Sequence, residues 1–265
     1  MKRMFLMLVI GLLLVGAQGN ATPFSEDGNA ALTTMLQSNG ASEEKGVQGI
    51  IKEINGVWAI DVNRQAKINK LALDGIKQAK TVDEMIALAQ TPVDSETRDQ
   101  MLLTAVAKVN NVSSVIKLAG LTKSNIEGTK DKILLEGVKS AKTSKDVFDL
   151  AKETFFVDGS DDIIVKGSAT AKTVSEIMPM ALEIHNFKKR DVVLVQGAKL
   201  AKDGREIMWL VSALNDRSLC GSTVLENLSR VKHSSEIDLL IPWAFEDSTK
   251  DILREYKKTL QQKGS

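Results

Sequence analysis

The chain has 265 residues, 43% hydrophobic and 26% charged, the make-up of one or two folded domains. Its 35 Lys plus Arg stand against 34 Asp plus Glu, so net charge points neither to nucleic acid nor to an anionic membrane. Aromatics at 4% leave little for base stacking or a sugar groove. A single cysteine, Cys220, excludes a disulfide scaffold and a Cys-built zinc site.

The first segment carries an address. Lys2 and Arg3 precede an uncharged apolar run, Met4 to Val15, and small residues follow from Gly16 to Ala21. Basic start, apolar middle and small-residue exit are the parts of a secretory signal. The run would be about 18 Å long as a helix, short of the roughly 30 Å of a bilayer core. Residues 1–21 are therefore expected to be a cleaved signal peptide, with cleavage after Gly19 or Ala21. Loss of Lys2 and Arg3 takes the 35 basic residues to 33 against 34 acidic. No later apolar run approaches 18 residues, so no transmembrane span is expected in the mature chain. One cysteine in an exported chain fits a bacterial periplasm, or secretion, with stability from packing. Asn111 and Asn227 head glycosylation-like triplets that fall inside the repeat below and read as chance matches.

Residues 22–62 are expected to hold a flexible, polar N-terminus and one capping helix, Ser42–Asn55, then a short packed turn from Gly56 to Ile60. From 63 to 246 the chain repeats itself. LALDGIKQAKTVDEMIALA from Leu71, ILLEGVKSAKTSKDVFDLA from Ile133, IIVKGSATAKTVSEIMPMA from Ile163 and VLVQGAKLAKDGREIMWLV from Val193 read alike. Weaker copies start at Met101 and Thr223. The pivots Thr81, Asn111, Thr143, Thr173, Asp203 and His233 are separated by 30, 32, 30, 30 and 30 residues. Each copy carries a helical apolar period, a break at the pivot, and a second helical period. The pivot is an N-cap: Thr81 with Glu84 and Thr173 with Glu176 form capping boxes, and Thr143 with Asp146 and Asp203 with Glu206 are close variants. At His233, a poor cap, Ser234 is expected to serve instead.

Two columns of small residues are read on one face of each first helix. Gly75, Ala105, Gly137, Gly167, Gly197 and Asn227 stand six before the pivots; Ala79, Val109, Ala141, Ala171, Ala201 and Val231 stand two before. Glycine in a helix costs about 1 kcal/mol, so the column implies close helix approach. The expected fold is all-α: an α-solenoid of about six helix–turn–helix repeats of roughly 30 residues, with terminal capping helices. The charged segment 247–265 is the C-terminal cap.

The motif L-L-x-G-x-x-x-A-K-T-x-x-E-I-x-x-L-A resembles, in kind, helical-hairpin solenoids such as tetratricopeptide and HEAT-like repeat proteins. The Trp, Tyr and Pro landmarks of the former and the ankyrin T-P-L-H are missing, so no named family follows. The resemblance implies an extended partner-binding surface.

Enzyme constellations are thin. His185 and His233 occupy non-equivalent places in adjacent copies and read as surface or cap residues. Cys220 lies just before a helix and reads as a lightly packed loop thiol. Asp158-Gly-Ser-Asp161-Asp162 resembles a fragment of a calcium loop but lacks its closing glutamate, and reads as a helix start. No phosphate-loop, nucleophile-elbow or zinc motif occurs. No catalytic residue, metal or cofactor is expected.

Two surface features remain. Lys80, Lys142, Lys172, Lys202 and Lys232 immediately precede five pivots. They form either a ridge for an acidic protein or an anionic envelope glycan, or an answer to the negative ends of the first helices. Six past the pivots the column Ala87, Lys117, Asp149 turns apolar at Pro179, Trp209 and Leu239. That trio forms either an exposed contact patch or a lining that lies down between repeats. The expected role is an exported, non-catalytic scaffold or adaptor of the cell envelope, contacting a protein partner through Trp209, Pro179, Leu239, Lys142, Lys172 and Lys202. The alternatives are an accessory or hydrolase acting on envelope polymers, and a secreted effector.

Overall fold

The pivots set the local structure. Thr81, Asn111, Thr143, Thr173, Asp203 and His233 are each the N-cap of a helix. The computed structural model describes residues 46–59, 61–122 and 128–263, so the expected signal peptide lies outside the described residues. Fourteen α-helices and no strand occur among the described residues. They are α1 (Val47–Gly56), α2 (Arg64–Gln78), α3 (Val82–Ala89), α4 (Ser95–Val106), α5 (Val112–Ala119), α6 (Thr129–Gly137) and α7 (Ser144–Lys152). Then come α8 (Val157–Gly167), α9 (Val174–Glu183), α10 (Phe187–Ala198), α11 (Gly204–Ser212), α12 (Ser218–Glu226), α13 (Ser234–Leu240) and α14 (Asp247–Lys263).

Capping chemistry starts the second helix of each copy. Thr81 and Thr143 each accept from the backbone N–H three residues on, while Glu84 and Asp146 reach back to the cap. Asn111, Thr173 and Asp203 also accept from their third following N–H. His233 makes no side-chain cap bond, and Ser234 is the first helical residue rather than the substitute cap expected for it. There the His233 carbonyl accepts from Glu236 N–H at 3.0 Å.

The first helices end earlier than the two-column pattern suggests. Ala79, Ala141, Ala171 and Val231 are C-cap residues with ψ between 123° and 138°. They are buried or half-buried, but they do not share a helix face with the glycine column. In three copies the last turn tightens into 3₁₀ form, at Val138–Ser140, Ser168–Thr170 and Leu228–Arg230, a common way to end a helix. The 32-residue interval, Asn111 to Thr143, contains Gly128, the N-cap of α6, whose φ of 66° favours a residue without Cβ.

Packing alternates in two sets. Among the first helices α2 touches α4, α4 touches α6, α6 touches α8, α8 touches α10, and α10 touches α12. Among the second helices α5 touches α7, α7 touches α9, α9 touches α11, and α11 touches α13. Helix α1 packs on both α2 and α3, and α14 packs on α13. Between the sets runs a continuous apolar core, with Ile68, Leu88, Leu102, Leu118, Ile133, Leu150, Ile163 and Leu210 fully buried.

The glycine column lies at the seam between the sets. A Cβ on Gly137 would come under 3.0 Å from the Val115 methyls, one on Gly167 from the Val147 methyls, and one on Gly197 from the Ile177 methyl. Each first helix thus sits against the second helix of the preceding copy. At Gly75 the place of that earlier helix is partly taken by Ile50 of α1, 3.2 Å from a Cβ there.

A second column links first helices in series. The buried Asp131 carboxylate accepts from the N–H groups of Phe155 and Phe156 at 2.8 and 3.1 Å. Asp161 accepts from His185 and Asn186 at 3.0 and 2.8 Å, and Asp191 from Asn215 and Asp216, both at 2.8 Å. Each carboxylate holds the start of the next first helix by two charge-assisted bonds. Asn69 makes the neutral version, accepting from Asp94 N–H at 3.3 Å.

Candidate functional site: an outer apolar face and a lysine edge

The second helices place the first candidate surface. Helix α11 buries Gly204, Ile207, Leu210 and Val211, and α9 buries Val174, Ile177, Met178, Met180 and Ala181. The sixth position past each cap points away from that stripe. Pro179 is exposed, Trp209 is 46% exposed and Leu239 38%. Helix α9 runs unbroken through Pro179. Leu182, three residues on and so on the same face, adds a 55% exposed side chain that the sequence reading missed. Earlier in the column Lys117 is exposed, while Ala87 and Asp149 are half-buried.

The lysine column lies at the starts of the same helices. Lys80, Lys142, Lys172, Lys202 and Lys232 are all exposed. Their backbone N–H groups donate to the carboxylates of Glu84, Asp146, Glu176, Glu206 and Glu236 at 2.6–3.1 Å. These bonds are the first cause holding the Glu84 and Asp146 carboxyls below their usual range. The lysine ammonium groups themselves have no ion-pair partner within 4.0 Å among the described residues.

Some of the carbonyls that these lysines were expected to answer are taken by others. Lys108 Nζ donates to the Ile76, Lys77 and Ala79 carbonyls at 2.6–3.3 Å. Ser140 Oγ donates to Val109 O at 2.9 Å, and Arg230 to Ala201 O at 3.1 Å. At the ends before Lys80 and Lys202, helix-end chemistry therefore belongs to the position three before the next pivot rather than to the lysine column.

The remaining sequence candidates disperse. His185 is exposed, its Nδ1 3.5 Å from Asp161 Oδ1, and His233 is exposed at its cap. Cys220 lies within α12, not in a loop. It is fully buried, its thiol 3.6 Å from Val211 O and pushed up in pKa by that burial. Asp158 to Asp162 form the first turns of α8, and Asp161 is turned inward onto amides. Asn111 is a cap, and Asn227 is buried with its amide donating to Thr223 O at 2.9 Å. Among the described residues no group of three His, Cys, Asp or Glu is placed to hold a metal ion, and no helix is long and apolar enough to cross a membrane.

Two features escaped the sequence reading. Phe155, Phe156, Phe187 and Phe245 are exposed where one copy passes to the next. Arg217 lies over the Trp243 and Phe245 rings at 5.3 and 5.8 Å. Between α10 and α12 an open groove of about 710 Å³ is lined by Lys188, Val192, Val195, Asp216, Arg217 and Leu219. The same columns 30 residues on line a 410 Å³ groove beside α14. Trp58, expected in a packed turn, is 78% exposed, although Val57 is buried. Of the turn aromatics only Phe155 and Phe245 share a register, three intervals of 30 apart, and His185 and Asn215 stand at the positions between, so the spacing gave little signal. No family model, no curated protein and no solved structure matches the chain.

Proposed function

We propose that the chain is an α-solenoid of six helical hairpins between terminal capping helices, exported by its N-terminal signal. Its role is that of a non-catalytic scaffold or adaptor in the periplasm or outside the cell. The observation that carries this reading is the run of exposed apolar side chains at equivalent places on three successive second helices: Pro179, Trp209 and Leu239, joined by Leu182. Adjoining outward apolar residues mark contact sites, and tryptophan commonly dominates binding energy. The position is tolerant of Lys117 and Asp149 in earlier copies, so the apolar choice there is not required by the helix itself.

Trp209→Ala tests it. The side chain is about half covered, so truncation should cost roughly 1 kcal/mol of unfolding stability, while capture of the partner from an envelope extract falls at least tenfold. A loss of about 3–5 kcal/mol would mark Trp209 as a core residue. Equal capture by variant and wild type would remove the face from the reading.

A further inference from the structure

We infer that the edge formed by Lys172, Lys202 and Lys232, with the apolar face beside it, takes an extended acidic polypeptide that also carries apolar side chains. The inference rests on the scaffold reading and names its partner's chemistry. Three observations lead to it.

The first is the separation of charge by depth. On this edge the carboxylates of Glu176, Glu206 and Glu236 are turned onto backbone N–H groups. Glu236 is only 8% exposed and also accepts from Gly204 N–H at 3.2 Å. Asp203 is spent on the Glu206 N–H at 2.9 Å, and Asp238 on Lys257 Nζ at 2.7 Å. The lysine ammonium groups are exposed and have no carboxylate partner within 4.0 Å among the described residues. Arg205, on the first turn of α11, is exposed with them. Negative charge is held inside by amides, and positive charge faces the solvent.

The second is the vacancy of the usual structural task. Arg230 already occupies the Ala201 carbonyl beside Lys202, so at that junction the lysine is not needed for that purpose. The third is adjacency. Trp209 follows Lys202 by seven residues, mostly along α11, about 10 Å at the helical rise. Pro179 follows Lys172, and Leu239 follows Lys232, by the same interval.

Spacing fixes the partner further. Packed helices lie about 8–10 Å apart, and an extended polyproline-type chain rises about 3.1 Å per residue with about three residues per turn, so every third side chain faces the same way. An extended segment crossing the second helices therefore advances about three residues per copy. Carboxylates at every third position would meet successive lysines, and apolar residues between them would reach Pro179, Trp209 and Leu239. A sulfated or uronic glycan would satisfy the lysines but brings no apolar side chains for Pro179, Leu182 and Leu239.

The test uses the full chain and a labelled synthetic peptide of about twelve residues, with Glu at every third position and Leu between, read by fluorescence anisotropy. Binding should weaken steeply between low salt and about 1 M, where screening shortens to about 3 Å. The triple change Lys172→Ser, Lys202→Ser, Lys232→Ser should lower affinity at least tenfold and flatten the salt dependence, and Trp209→Ala should lower it at least tenfold. The same peptide with Gln for Glu should not bind. Lys202→Glu, a second variant at an exposed site, should repel the Glu peptide. Equal binding of the Gln and Glu peptides, or of triple variant and wild type, overturns the inference. So does polyglutamate or dextran sulfate that binds as tightly as the peptide and ignores Trp209→Ala, since that assigns the edge to any polyanion. If the peptide fails while capture from extract still depends on Trp209, the inference falls and the scaffold reading stands; if both fail, both fall.

Discussion

Gly167→Ala should destabilise the fold, against the ordinary preference of helices for alanine. In an open helix the change gains about 1 kcal/mol. At Gly167 the new Cβ would overlap both methyls of Val147, under 3.0 Å from each. Val147 is fully buried in the middle of α7 and, being β-branched, has one favoured helical rotamer, so it cannot swing aside. Relief must come from moving α7 and α8 apart, and α8 is also fixed by Asp131 at its start. Overpacking of this kind costs about 1–3 kcal/mol. The expected balance is a net loss of about 1–2 kcal/mol, or roughly 2–8 °C in melting temperature for a chain of this size. Gly167→Leu should cost more than Gly167→Ala. Gly56→Ala is the control: it ends α1 with nothing within 4 Å of a Cβ, and should be neutral or gain a few tenths of a kcal/mol. Urea melts followed by far-ultraviolet circular dichroism give both numbers. Adding Val147→Ala to Gly167→Ala should recover part of the loss, because the new methyl fills the space removed. A Gly167→Ala variant as stable as Gly56→Ala, or a pair of changes that simply add, would refute the close-seam argument.

Asp161→Ala should cost about 2–5 kcal/mol, since it strands two amide N–H groups beside a fully buried site; an unchanged urea midpoint would show that water replaces the carboxylate at no cost. Glu84 and Asp146 are held below the usual carboxylate range, chiefly by the backbone N–H groups of Lys80 and Lys142. Their contribution is therefore present above the unfolded carboxylate range and lost as pH falls through the folded values. Glu84→Gln with Asp146→Asn should be less stable than wild type at about pH 7 and converge with it as pH falls below the ordinary carboxylate range; a difference independent of pH would refute the assignment. Cys220 should react with a thiol reagent in native buffer at pH 8 only as fast as the protein opens, and at once in urea; rapid native labelling would contradict its burial.

The helix starts were legible because capping is local. Thr81, Thr143, Thr173 and Asp203 bond to amides three residues away, and such a pattern is written in adjacent letters. The helix ends were not. Val138, Ser168 and Leu228 carry no sequence mark of a tightened turn, and the position two before the pivot was read as one more helical residue. The lysine edge was seen, but its structural alternative rested on carbonyls that Lys108, Ser140 and Arg230 reach from about 30 residues away. Asp131, Asp161 and Asp191 were hidden for another reason. An acid in the early turns of a helix is ordinary dipole chemistry, and nothing nearby in sequence says that the carboxylate serves amides 24 and 25 residues on. Leu182 escaped because the column was defined at one position, whereas a helix face includes its neighbour three residues later.

The aspartate links also bear on how the chain comes apart. Units that touch only their neighbours melt as a line of coupled segments, and the reach of cooperativity depends on the strength of each coupling. Asp131, Asp161 and Asp191 place a strong, doubly bonded joint at three consecutive junctions. Thirty residues beyond Asp191 the column holds Gly221, where a Cβ would find the Thr249 side chain at 3.4–3.9 Å and no carboxylate is present. The middle of the chain is thus clamped as one block, while the last junction, before α14, relies on packing and the partly exposed Asp238–Lys257 pair. Fraying should begin at that C-terminal end, and the apolar face on α9 and α11 belongs to the part that stays folded while it does.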